Sequence, residues 1–306
     1  MLQSLRDITL FVAAYEERSF TAAAEREHAT QSGVSQHVKK LEERLGVRLF
    51  ERGAGQVMPT PAGDTYYRHC IDLLRRNASA TLAVKSRGAG LEGRINIGLM
   101  PTMTRCALAP ALDRFLAAHP NVVVCVEEAY SAALTHRTRA GDLDFAVVPA
   151  FSGVVGLTSR LFVTTPEVLV SGAAKRLEHL SPVRLADLGP LKIVVPTSTN
   201  TRRRRLETYF ASNGVEIEQL LELDAMMGTL DFVASGDWVT VLPGLMMVGD
   251  LEYRRLVINP LTGPPLPLDL ALIEPARKAL TPAAQAFLDM LSEEALRLNA
   301  RVLAIA

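Results

Sequence analysis

Residues 19–52 read SFTAAAEREHATQSGVSQHVKKLEERLGVRLFER, two helical stretches that meet at a polar corner and run into an extended tail. In the second stretch Val34, Val38, Leu41 and Leu45 fall at i, i+4, i+7 and i+11 and form one apolar stripe, while Ser32, Ser35, Gln36 and Lys39 fall on another. Gly46 suits its C-terminal stop. The first stretch is short: Ser19 or Thr21 can cap it, and the run Ala22 to Ala24 lets a neighbouring helix approach closely. Reading a major groove requires a helix with donors and acceptors outward and an apolar back that fixes its angle. The second stretch meets that demand, although a merely solvated helix face carries the same pattern.

Working outward, Leu5, Ile8, Val12 and Tyr15 recur at three- and four-residue steps and predict a helix before the pair. After it, VRLFERGAGQVMPT alternates around a Gly-Ala-Gly tip and predicts a small hairpin. Thr60 and Pro61 are a cap and first-turn pair. They open a long helix whose Tyr67, Cys70, Ile71, Leu74, Ala78 and Leu82 keep to one side as far as RGAG at 87–90. Such a stripe needs a partner, either a second copy of the helix in a dimer or the domain it leaves.

From Arg94 the texture changes. RINIGL, VVVCVE, DFAVVP, KIVVPT, DWVTVLP and LDLALIE read as strands alternating with helical stretches, the pattern of parallel sheets with crossover helices. A weak internal repeat runs through this half. IGLMPTMTR leads into LAPALDRFLAAHP, VVPTSTNTR leads into RRRLETYFASNG, and each copy passes from a strand through Pro-Thr and a hydroxyl-rich turn to a helix. Two similar lobes follow. A last helix capped by Thr281 and Pro282 carries Phe287, Leu288, Leu291, Ala295 and Leu298 inward and is expected to return to the first lobe.

Composition narrows the function. The formal charge is zero overall, yet residues 1–90 hold 13 Lys and Arg against 10 Asp and Glu, net +3, which leaves −3 for the remainder. The N-terminal third is therefore the place for phosphate contacts. Arg6, Asp7, Glu16 and Glu17 interrupt the early apolar positions and no apolar run spans a bilayer, so neither a signal segment nor membrane contact is expected and the protein is placed in the cytoplasm. Cys70, Cys106 and Cys125 show no paired metal spacing, and the histidines at 28, 37, 69, 119, 136 and 179 show none either. P-loop, dinucleotide fingerprint, nucleophile elbow and HExxH are missing, so no enzyme, catalytic residue, metal or cofactor is expected.

The order LFVAAYEERSFTAAAEREHATQSGVSQHVKKLEERLGVRLFER followed by TPAG resembles the winged helix-turn-helix of LysR-type transcriptional regulators, closely over about the first 85 residues. The resemblance implies a multi-domain fold: an all-α winged helix-turn-helix at 1–60, a linker and dimerisation helix at 61–90, and an α/β two-lobed, type 2 periplasmic-binding-protein-like effector domain at 91–306. Lobe I would take about 91–165 and 268–306, and lobe II about 166–267. It implies sequence-specific binding of double-stranded DNA at a two-fold symmetric operator, a dimer that pairs into a homotetramer, and modulation by a small-molecule effector. Carried over residue by residue, base or groove contacts fall on Gln31, Ser32, Ser35 and Gln36, a buttress contact on Thr21 and a phosphate contact on Arg52. The residue types themselves add Lys39 and Lys40 as phosphate contacts and give Gln36 the geometry to bond adenine bidentately. Many members have Pro where Ser32 stands and Arg where Gln36 stands, and the wing tip GAGQ lacks their basic residues.

For the effector, strand-end loops followed by helix N-termini offer N–H groups and a dipole to an anion. By the resemblance Pro101, Thr102, Met103 and Thr104 face the cleft from one lobe and Thr199, Asn200 and Thr201 from the other, with Val148, Pro149, Met227 and Thr229 in further loops. Arg105 and Arg202 to Arg205 lie near those turns, and Arg202 is the expected partner of an effector carboxylate. A secreted solute-binding protein would share the two lobes but not the N-terminal helices. A third reading replaces the ligand by redox sensing through Cys106 and Cys125, against which stand their expected burial and the lack of a flanking basic pair.

Overall fold

The computed structural model describes residues 4–52, 57–85, 90–151, 153, 155–198, 200–252 and 255–305. Its contacts divide the chain into two units, 1–88 with 153–158 and 275–279, and 89–152 with 159–274 and 280–306.

The first unit opens with α1 (Leu5–Glu17), whose N-terminus is closed by a reciprocal capping box between Ser4 and Asp7. Then comes α2 (Phe20–Arg26), capped by Ser19 rather than Thr21: the Ser19 hydroxyl accepts from the Ala22 N–H at 3.3 Å. The turn to α3 (Gln31–Leu45) passes through His28 at φ 50°, a left-handed position that histidine tolerates better than branched residues. Gly46, at φ 69°, ends α3 as expected. Strands β1 (Phe50–Arg52) and β2 (Val57–Pro59) pair antiparallel, Phe50 opposite Pro59 and Arg52 opposite Val57, while the tip GAGQ lies outside the described residues.

The long helix α4 (Pro61–Lys85) follows. Its Tyr67 ring stacks on Tyr15 of α1 at 3.9 Å, the Tyr67 hydroxyl donates to Glu16 at 2.9 Å, and Cys70 and Ile71 enter the same core as Phe11, Val34, Val38 and Leu41. The N-terminal half of the predicted stripe thus packs onto its own unit. Leu73 and Val84 are exposed apolar residues of this helix, and the side chain of Leu82 lies outside the described ones. Thr60 and Gly63 fix where the helix begins. The Thr60 N–H donates to the Leu49 carbonyl at 3.0 Å, its hydroxyl donates to the Arg48 carbonyl at 2.7 Å, and a Cβ on Gly63 would stand 2.2 Å from the Leu49 oxygen.

The remaining chain gives β3 (Gly93–Leu99), α5 (Pro101–Thr104), α6 (Leu108–Ala118), β4 (Val122–Glu128), α7 (Ser131–Ala140) and β5 (Phe145–Pro149). It continues with β6 (Leu157–Ser171), β7 (Leu191–Val195), α8 (Thr201–Ser212), β8 (Ile217–Glu222), α9 (Met226–Ser235) and β9 (Val239–Pro243). A short 3-10 segment, Gly244–Asp250, precedes β10 (Val257–Pro260), β11 (Pro267–Pro275) and α10 (Pro282–Leu303). One nine-stranded sheet runs in the order β4-β3-β5-β11-β6-β9-β7-β8, with β10 on β6.

All six predicted strands are present, but the expected parallel sheet is mixed. β3 pairs parallel with β4 and β5, and β7 with β8 and β9, whereas β11 lies antiparallel to β5, and β6 antiparallel to β9 and β10. The antiparallel strands are those that carry the chain between lobes. One apolar core collects Ile95, Ile97, Phe115, Phe145 and Leu272 with Phe287, Leu291 and Leu298 of α10, so the last helix returns to the first lobe. Two further cores flank the second half of the sheet, around Ile193, Leu206, Phe210 and Val241 on one face and Val168, Val170, Leu230 and Val233 on the other.

Candidate functional sites

The first site is the outer face of α3. Val34, Val38 and Leu41 are buried, which sets the helix on α1 and α2, and Thr30 caps it by accepting from the Gly33 N–H at 3.1 Å. Such a cap contributes about 1 kcal/mol. Gln31, Ser32, Gln36, Lys39 and Lys40 are exposed, and Ser35 is half-buried. Ser32, Gln36 and Lys40 stand four residues apart and form one stripe. Lys39 lies 3.8 Å from Glu43, an exposed pair that solvent screens, while Lys40 has no ion pair among the described residues. Thr21 is exposed on α2. Arg52 occupies the end of β1 opposite Val57, and its side chain lies outside the described ones.

The frame around this face is held by charge. Burial alone would raise the Asp7 carboxyl, but hydrogen bonds from His37 at 2.6 Å, Arg44 at 3.2 Å and the Ser4 N–H at 3.3 Å outweigh it and hold it below the ordinary carboxylate value. His37 and Arg44 belong to α3, so this carboxylate ties the back of α3 to the first turn of α1. Glu42 reaches the other way, accepting from the Leu49 and Phe50 N–H groups at 2.7 and 3.0 Å and fixing the start of the wing.

The second site is the cleft between the lobes, where a cavity of about 20 Å³ is lined by Met100, Pro101, Thr102, Tyr130, Val194, Val195, Pro196, Asn200, Arg202, Leu223, Met226, Thr229, Thr240, Val241 and Leu242. That space holds about one water molecule. Of the predicted residues, Pro101, Thr102, Asn200, Arg202 and Thr229 line it. Met103 does not, being fully buried in the lobe I core because α5 turns it inward. Thr104 points away, and its hydroxyl donates to Glu128. Val148 and Pro149 are buried within the sheet beside β11 and do not reach the cavity. Met227 is 66% exposed, and Met226 takes the wall position one residue earlier. Thr201 does not line the cavity, and its hydroxyl meets that of Ser131 at 3.1 Å, joining the first turns of α8 and α7. Thr199 lies outside the described residues.

Arg202 departs most from expectation. It is 6% exposed, and its guanidinium donates to both oxygens of Glu167, at 3.1 and 2.6 Å, and to the Val241 carbonyl at 3.1 Å. Burial pushes the Glu167 carboxyl up while the Arg202 charge opposes the shift. The cation expected to receive an effector carboxylate is thus already engaged. Arg105 is engaged as well, 2.6 Å from Asp250. Asn200 caps α8 through the Arg202 N–H at 3.1 Å. Tyr130 was not foreseen: it stands at the residue before α7, after β4, and burial, then Asp224 and Glu128, raise its hydroxyl above the ordinary phenol value. The position of a residue directly between a strand end and a helix start was the available signal.

Cys106 offers little to a redox reading. Its thiol donates to the Thr102 carbonyl at 3.0 Å, and burial pushes it up to about 12, far from the thiolate range a sensor needs. Among the described residues no group of His, Cys, Asp and Glu is arranged to hold a metal, and no helix is long and apolar enough to cross a membrane.

A helix-turn-helix with a wing, followed by a two-lobed α/β domain with a cleft at its strand ends, is the architecture of a DNA-binding, effector-responsive regulator. Residues 5–64 match the bacterial regulatory helix-turn-helix proteins of the lysR family and residues 88–296 match the LysR substrate binding domain, so the chain belongs to the LysR family of transcriptional regulators. It is 30% identical to the nitrogen assimilation regulatory protein nac of Klebsiella aerogenes over 94% of both chains. To the HTH-type transcriptional regulator BenM of Acinetobacter baylyi it is 29% identical over 78% of this chain and 80% of the other. The crystal structure of full-length BenM superposes with a TM-score of 0.56 at 25% identity, covering 97% of each chain. Full-length CbnR complexed with its target DNA shares the fold, with a TM-score of 0.54 at 20% identity over 96% of this chain and all of that one.

Proposed function

We propose that the protein is a cytoplasmic transcription regulator that binds a two-fold symmetric operator through α3 and changes its DNA contacts when a small molecule occupies the cleft. The observation that carries this reading is the stripe of Ser32, Gln36 and Lys40 on a helix whose opposite face is fixed in the core. Gln31, Ser32, Ser35 and Gln36 make base or groove contacts, Lys39, Lys40 and Arg52 meet phosphates, and Thr21 on α2 makes a buttress contact. The protein acts as a dimer through α4, with pairs of dimers as the working tetramer. The effector shifts a population of lobe arrangements and with it the spacing of the DNA-binding pairs.

The organic acid expected from the sequence would find Arg202 already held by Glu167, leaving it only the hydroxyls of Thr102 and Thr229, the Asn200 amide and the first turn of α8. The DNA-binding half of the reading is tested by selection of operator sequences followed by titration of the variants. Gln36→Ala should relax preference by about 1–3 kcal/mol at one base step, whereas Arg52→Ala should weaken specific and random DNA alike. Equal losses on both kinds of DNA for Gln36→Ala would remove its role as a base reader.

A further inference from the structure

Granting that the cleft is the effector site, we propose that its effector is a small molecule with an apolar body and an N–H-donating head without negative charge, a primary amide or ammonium. Three observations converge on this. The first is Arg202, the cation among the described residues that line the cavity, whose guanidinium is spent on Glu167 and the Val241 carbonyl. A carboxylate arriving there would have to share a cation with a carboxylate already in place, and like charges at one site disfavour each other.

The second is a pair of hydroxyls. Thr102 on lobe I and Thr229 on lobe II are each 4% exposed, line the cavity, and have no side-chain hydrogen-bond partner among the described residues. Each hydroxyl is free to bond a ligand, with two lone pairs for an incoming N–H besides the proton it can give. Thr240 differs: it lines the same cavity but already donates to the Val194 carbonyl at 2.9 Å. The third is the field. Tyr130 on the wall feels Asp224 and Glu128, and Glu167 feels Arg202 and Arg205, so two cations stand against three carboxylates, Glu167, Asp224 and Glu128. That balance favours an ammonium or a neutral amide over an anion. The remaining wall, Met100, Val194, Leu223, Met226 and Leu242, suits an apolar body. Since the present space takes one water, entry requires the lobes to part, which breaks the hydroxyl contact between Ser131 and Thr201.

The test uses the full-length protein and two sets of probes that differ only in the head group: benzamide, benzylamine and benzoate, and isobutyramide, isobutylamine and isobutyrate. Thermal unfolding midpoints are followed against probe concentration for the wild type, for Thr102→Val/Thr229→Val, and for Thr102→Ser/Thr229→Ser, which keeps both hydroxyls. The expected result is a concentration-dependent rise with an amide or amine and none with its carboxylate. The valine pair should weaken apparent affinity about tenfold or more, and the serine pair should retain it. A carboxylate that stabilises as well as its amide, with the effect lost in the valine pair, overturns the ligand class while leaving the cleft as the site. Binding that survives in the valine pair overturns the cleft reading itself. Silence from all six probes in a protein that unfolds cooperatively also counts against the proposal, because two unpartnered hydroxyls beside an apolar wall should capture at least one of the amides or amines at millimolar concentration.

Discussion

Replacing Glu167 by Gln should convert the cleft from one that refuses carboxylates to one that accepts them, at a measurable cost in stability. Glu167 is 2% exposed and takes two hydrogen bonds from Arg202. Removing one partner of a buried pair costs about 3–5 kcal/mol, because the other charge is left uncompensated. Gln keeps the shape and one acceptor, which places Glu167→Gln near the lower end, about 3 kcal/mol. A unit of this size loses about 2–4 °C per kcal/mol, so the midpoint should fall by about 6–12 °C. The chain has one tryptophan, Trp238, packed against Phe232 in lobe II, and its fluorescence during urea unfolding reports on the lobe that houses the pair. In the variant the freed guanidinium should bind benzoate, and benzoate should restore part of the lost midpoint while leaving the wild type unmoved. The reasoning fails if the variant unfolds within about 1 kcal/mol of the wild type, or if benzoate acts on both alike.

Gly63→Ala should disrupt the junction of wing and linker helix. Its Cβ would sit 2.2 Å from the Leu49 oxygen, which also accepts from Thr60, so backbone must move; a loss of about 2–4 kcal/mol and weakened DNA binding are expected in urea unfolding and gel-shift assays, and a neutral outcome would show that α4 does not start where described. Asp7→Asn should destabilise the first unit in a pH-dependent way. Because the folded carboxyl is held below its ordinary value of 3.8, its contribution is fully present above that value and is lost as pH falls through the lower, folded value. The difference between variant and wild type should therefore be constant at neutral pH and shrink below about pH 4, and a difference that grows on acidification would contradict the sign. Lys40→Ala should lower the salt slope of DNA binding by about one while leaving sequence preference unchanged; an unchanged slope would take Lys40 away from the phosphates.

The first unit was legible because each of its residues answers to one local demand. Val34, Val38 and Leu41 lie at helical spacing, Gly46 and Thr60 sit where a helix must stop and start, and the tertiary contact of α3 follows from the same stripe that reveals the helix. The cleft was half legible for the opposite reason. That Thr102, Asn200 and Thr229 lie at strand ends is a property of the local chain, but which neighbour each side chain meets is decided by residues far away. Arg202 reads as a free cation beside its turn, and its neutralisation depends on Glu167, 35 residues earlier. Strand β6 was missed because Pro166 interrupts it, and a proline inside a strand pattern argues against a strand unless the pairing changes there. It does change: the strand passes there from one half of the sheet to the other. Edge strand β8 was missed because its largely exposed residues carry no inward alternation.

The two lobes are joined by the 3-10 segment Gly244–Asp250. Its Leu245 and Val248 belong to the lobe I core, its Met246 and Met247 to the lobe II core, so a single turn of chain is shared by both. Arg105 of lobe I holds it from one side, donating to the Met246 carbonyl at 2.6 Å and pairing with Asp250, and the Leu245 N–H donates to the buried Thr165 hydroxyl of β6 at 3.0 Å. A Cβ on Gly244 would stand 2.5 Å from Val302 and 2.9 Å from the Pro166 carbonyl, so the backbones meet there with no slack. Lobes joined by such a wedge cannot slide past one another without unpacking two cores. The connections that a rotation would turn about are β6 near Pro166 and the chain entering β11, where the Glu167 N–H donates to the Leu266 carbonyl at 2.7 Å. A rotation about that line would open the far side of the cleft, where Ser131 meets Thr201, and would leave the wedge in place. A ligand a few atoms across can therefore set the lobe angle while leaving each core intact, which is what a two-state response requires of a fold whose packing is otherwise rigid.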